Sequence, residues 1–178
     1  MKQSSHAWSR AYARQAQADL DAREVLLGAT VPACQHLHFL QMACEKISKA
    51  HRCLGGANPE TLRHSHGFAA KVLPQITREL LRRSAFAADL EVAPRGLEAM
   101  VRQLAREVDL LAPAVDDDGR RPDNCEYPWE DDGGALHVPA EHGFGPLGTL
   151  HRHRAGATFL KIVVAAAAEL AGGFYAAS

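Results

Sequence analysis

Between residues 97 and 111 the apolar side chains fall at steps of three and four: Leu97, Met100, Val101, Leu104, Ala105, Val108, Leu111. An α-helix brings that spacing to one face, whereas a strand would scatter it over two. The same rhythm recurs along most of the chain. Trp8, Ala11, Tyr12, Gln15, Ala18, Asp19, Ala22, Val25 and Leu26 stripe a first helix over 5–27, with Arg10, Arg14, Asp21, Arg23 and Glu24 mostly on its other faces. Pro32 sits where a first-turn proline belongs and opens a second helix, striped by Leu37, Leu40, Cys44, Ile47, His51 and Leu54. The run Gly55-Gly56-Ala57-Asn58-Pro59 stops it.

A short helical turn is expected from Thr61, then a third helix to about residue 83 on Phe68, Ala69, Val72, Leu73, Ile76 and Leu80, which Pro74 kinks or restarts. Pro94 is expected to open the fourth helix, and a last one covers about 149–171. Strand-like alternation never persists, and no internal repeat is visible. The expectation is all-α: an antiparallel up-down bundle of four to five helices. At 178 residues it forms a single domain, 1–178, around one core. Over 113–146 the periodicity vanishes. That stretch holds Asp116, Asp117 and Asp118 and the cluster Tyr127-Pro128-Trp129, and loops of this length are often functional.

Charge narrows the partners little. The formal net charge is −1, which gives no field towards nucleic acid or anionic membrane; with all ten histidines protonated it becomes +9. The four cysteines form no C-x-x-C pair, and the three within the second helix, Cys34, Cys44 and Cys53, are expected to serve as small apolar residues. With a polar stretch over 1–14 in place of an apolar leader, the expected compartment is the cytoplasm. The apolar run 155–171 carries Lys161 and Glu169 and falls short of the ~20 residues a bilayer requires, so a core helix is expected rather than a membrane span.

Four pieces in order resemble the HEPN domain, a family of small helical bundles. Ala18-Asp19 with Ala22 and Leu26/Leu27 is similar to its A-D-x-x-x-A-x-x-L pattern, and residues 41–50, Gln-Met-Ala-Cys-Glu-Lys-Ile-Ser-Lys-Ala, to its Q-x-A-x-E-K-x-x-K-A core. Thr61 to His66 lies where the family has a histidine turn, and Glu126-Tyr127-Pro128 resembles its R-Y-P motif with the charge reversed. Together the pieces span about residues 8–174. Catalytic members are RNases with an R-x(4–6)-H motif; no arginine here has a histidine five to seven positions on, so the resemblance does not carry that activity over. It implies a dimerising domain that pairs with a nucleotidyltransferase-like protein or binds a nucleotide.

Several residues are candidates for that chemistry. Lys46 and Lys49 point either into a phosphate-holding groove or into a salt-bridged helix face, Glu45 and Lys49 being i, i+4. Arg63, His64 and His66 stand near a helix start, which favours an anion, and Arg63 and His66 share a helix face at a spacing of three. Residues 59–84 carry a local excess of three positive charges, suited to a nucleic-acid backbone or to a solvated face. Tyr127 and Trp129 either stack on a base or cover the end of the bundle, and the acids around them repel phosphate. Three H-x-H pairs and the i, i+4 pair Cys34/His38 are the only metal-like spacings; neither a metal nor a cofactor is expected.

The first expectation is therefore a non-catalytic binding module using Lys46, Lys49, Arg63 and His66, with Tyr127 and Trp129 beside the ligand. The alternatives are a divergent, metal-independent RNase of toxin–antitoxin kind built on Arg63 and His66, and a structural dimerisation subunit.

Overall fold

Ser4 lies extended and its hydroxyl accepts from the Ala7 N–H at 3.2 Å, so helix α1 starts capped and runs over Ser5–Leu27. The computed structural model describes residues 4–83, 86, 95–113 and 123–172. Among them six helices follow: α2 (Ala33–Leu54), α3 (Pro59–Arg63), α4 (Ala69–Leu81), α5 (Leu97–Asp109), α6 (Gly145–Gly148) and α7 (Arg154–Gly172). The mostly helical, all-α character expected from the periodicity is what the chain adopts.

α1 and α2 make the most extensive helix pair. Tyr12 lies near Cys53, Asp19 holds Lys46, and Arg23 acts on His36. Partner numbers fall on α2 as they rise on α1, so the two helices are antiparallel. Their seam is lined by Ala13, Ala16, Leu37, Leu40, Ala43 and Ile47, all fully buried, and the small alanines allow close approach. α4 and α5 pair in the same sense. Arg78 forks onto Glu98 at 3.0 and 2.6 Å, while Asp109, at the other end of α5, bonds the first N–H groups of α4.

Helix α7 lies at the centre. Phe159, Ile162, Val163, Ala166, Ala167 and Leu170 are buried, and the helix touches α1, α2, α4 and α5. By length and composition it is the one described helix that could cross a membrane, but that face is the bundle core. Cys34, Cys44, Cys53 and Cys125 are all buried and free. Burial pushes each thiol above its ordinary range, which keeps it protonated and unreactive.

The structure departs from the sequence reading in four places. Pro74 does not restart a helix: α4 continues through it over Ala69–Leu81, held by the burial of Val72, Leu73, Ile76 and Leu80. Helix α3 ends at Arg63, and 64–68 is a non-helical connector with Gly67 at φ 74°. The described part of 113–146 is not structureless: β1 (Trp129–Glu130) pairs antiparallel with β2 (Leu136–His137), and a 3-10 turn covers Pro139–Glu141. Finally, α7 begins at Arg154, not near residue 149, since a 3-10 turn occupies Leu150–Arg152. Pro94 and residues 116–118 lie outside the described residues.

Candidate functional site

The polar residues of the α2 motif face inward. Asp19 accepts from Lys46 Nζ at 2.6 Å and from Gln15 at 3.2 Å, tying α1 to α2. Glu45, the residue just before Lys46 on α2, is the hub of a second group. Its Oε1 accepts from Lys49 Nζ at 2.5 Å; its Oε2 accepts from Gln41 at 3.3 Å and lies 2.7 Å from His66 Nδ1. Glu45 and Lys49 are 6% and 4% exposed, so the pair belongs to the interior rather than to a solvated face. Burial alone would raise the Glu45 carboxyl; hydrogen bonds from Lys49 and His66 outweigh it and hold the group below the usual range.

Of the expected ligand residues, Lys49 and His66 are therefore brought together, through Glu45, and Lys46 is held by Asp19 on the α1 side. Arg63 goes elsewhere: it is exposed and reaches Glu60 at 3.2 Å. Because α3 stops at Arg63, the shared helix face expected for Arg63 and His66 does not form; His66 sits in the connector beyond it. The helix start ahead of them is also occupied. The N–H groups of Ala69 and Ala70, at the beginning of α4, are bound by the Asp109 carboxylate at 3.3 and 3.0 Å. An external anion would have to displace Asp109 to use that helix end.

Tyr127 and Trp129 part company. Their turn is fixed by Asn124, whose Oδ1 accepts from the Glu126 and Tyr127 N–H groups at 2.8 and 2.7 Å, and the Tyr127 ring points to solvent at 60% exposure. Trp129 is buried against His137, stacked at 5.5 Å between ring centres, with His142 edge-on at 5.1 Å and Phe144 at 6.5 Å. The two rings, which the sequence reading treated alike, are therefore separated, one buried in a local aromatic cluster and one exposed. Cys34 is buried while His38 is half-exposed and lies 3.7 Å from Glu126. Among the described residues no three ligand-type side chains converge on a common point.

A second polar group was missed by the sequence reading. Arg23, placed there on an outer face, is 2% exposed. It forms the wall of a cleft of about 940 Å³ between α1 and α7, lined also by Glu24, His151 and Lys161 and by the apolar Leu27, Phe86, Leu160 and Val164. His36 lies behind, 7% exposed, its ring edge-on to His151 at 6.4 Å. Burial, with the neighbouring Arg23 and His151 charges, lowers His36 to about 4, so it is a neutral imidazole at neutral pH. The signal was present: Arg23 falls seven residues after Ala16 and three after Leu20, on the buried stripe of α1. Its charge masked it.

The chain matches no family model, and neither a curated protein nor a solved structure is similar to it.

Proposed function

We propose that the chain is a non-catalytic, HEPN-like binding module, a homodimer that recognises a nucleotide or a nucleotidyltransferase-like protein partner. The observation that carries the reading is the closed pairing of the motif residues. Lys46 is bound to Asp19, and Lys49 and His66 to Glu45, so the groups best suited to acid–base work are engaged with carboxylates of the chain itself. An RNase built on Arg63 and His66 requires both at one phosphate, yet they bind different glutamates, Glu60 and Glu45. The same pairing moves the phosphate contacts away from Lys46 and Lys49. Nothing in the geometry favours the RNase or the purely structural alternative over binding.

Two measurements test this. A short RNA incubated overnight with the chain and EDTA is expected to stay intact; cleavage that disappears in His66→Ala would establish the enzyme instead. A thermal-shift panel of nucleotides should raise Tm by several degrees for at least one of them, since a ligand at 100 times its Kd adds about 2.7 kcal/mol. No shift, together with no binding to a nucleotidyltransferase-like partner, would leave only the dimerisation subunit.

A further inference from the structure

We propose that the cleft between α1 and α7 binds a small amphiphilic phosphate, its head held by Arg23 and Lys161 beside His151 and its body laid on Phe86, Leu160 and Val164. The inference rests on the ligand-binding part of the reading above, for which it names the site and the head group.

At the cleft wall stands a guanidinium that is almost wholly withdrawn from water, Arg23 being 2% exposed. A buried cation is costly unless anions and hydrogen-bond acceptors surround it. Arg23 has one such partner, Glu24, at 2.5 Å from Nη1, and that carboxylate belongs to a side chain 69% exposed, free to swing aside. The Arg23 Nε–H has no hydrogen-bond partner among the described residues, and neither has Nδ1 of His36 behind it. Burial lowers the Arg23 guanidinium from its ordinary value despite the Glu24 contact, as expected of a cation short of acceptors. Lys161 on α7 and His151 in the turn before it are exposed and line the same cleft.

The donor set and the walls define the ligand. A carboxylate is already supplied by the chain as Glu24, and it satisfies only one edge of the fork. A phosphate offers three oxygens, enough for Arg23, Lys161 and the His151 ring at once. The rest of the lining is aliphatic and aromatic, and at about 940 Å³ the cleft has the size of a small-molecule site. A phosphomonoester on a flat or apolar body of nucleoside size fits both halves.

The test uses the full chain with two phosphorylated probes, adenosine 5′-monophosphate and octyl phosphate, against their uncharged counterparts, adenosine and octanol. Calorimetric titration is expected to detect at least one phosphorylated probe and neither counterpart; which probe binds tells a nucleoside body from an alkyl one. Lys161→Ala should weaken that binding about tenfold and Arg23→Met about a hundredfold, the range for hydrogen bonds to charged groups. The unliganded Arg23→Met chain should melt no lower than wild type, because a strut would be missed and an unfilled cation is not. If that variant does not fold, the double variant His151→Ala/Lys161→Ala, altered only at exposed positions, carries the test with a loss of at least tenfold. Two outcomes overturn the proposal. Binding that survives the double variant puts the ligand elsewhere and leaves the binding-module reading standing. Absence of binding by both phosphorylated probes removes the cleft as a phosphate site, while the nucleotidyltransferase-like partner is judged separately by its own binding to the chain.

Discussion

Asp109 is a residue whose protonation should be felt in stability. It is 5% exposed, and although it accepts from the Ala69 and Ala70 N–H groups, burial dominates and lifts its carboxyl to about 6. A carboxyl raised above its unfolded value of 3.8 favours the fold when protonated, so its contribution is present below about pH 4 and lost as pH rises through 6. Urea unfolding of wild type and Asp109→Asn should show this as a difference: from pH 4.5 to 7.5 wild type loses about 2 kcal/mol relative to the variant. A gap that does not change with pH would count against it. His36 acts in the opposite sense, since its depressed value makes the fold lose stability as pH falls from 6.5 towards 4. The two partly cancel in wild type, and only the difference measurement separates them.

At the scale of elements, the α7 start shows how backbone contact overrides apolar patterning. Residues 149–153 continue the helical rhythm in sequence, yet the chain turns there and packs its carbonyls against α7. A Cβ on Gly156 would lie 2.0 Å from the Leu150 carbonyl oxygen, so only glycine fits. Gly156→Ala should therefore cost several kcal/mol, beyond the about 1–3 kcal/mol typical of overpacking, because backbone rather than a side-chain tip must move; thermal melting checks it. The periodic elements were legible in the sequence: α1, α2, α4 and α5 lie where their stripes put them, and their apolar positions form the core. What was not legible was the end of α3, since no residue type at 64–68 except Gly67 signals a break. Nor was the fate of the charges. Spacing gives the face on which Lys46, Lys49 and Arg23 lie, but not which neighbouring helix covers that face. Nor could the sequence separate Trp129 from Tyr127, which it presents alike, because the turn around Asn124 leaves one ring exposed and the other buried.

For the whole molecule, the central place of α7 changes the ground for dimerisation. So apolar a helix must be either central or shared between subunits; burial of its Phe159 face against four helices meets the first condition, while Val164 on it and Val25 on α1 stay 53% and 73% exposed. The dimer thus rests on the HEPN resemblance, and multi-angle light scattering at micromolar concentration should give twice the chain mass of 19.3 kDa; a monomer would refute it. The inward pairs of α2 carry a different implication. Removing one partner of a buried ion pair strands the other, at a cost of about 3–5 kcal/mol, whereas exchanging both for apolar residues can be neutral. Glu45 and Lys49 can therefore vary only in step, and so can Asp19 and Lys46, although 27 positions separate them in the chain. Selection on such a motif would act on it as a block, from inside the fold, so a string of charged residues can be kept without ever meeting a ligand.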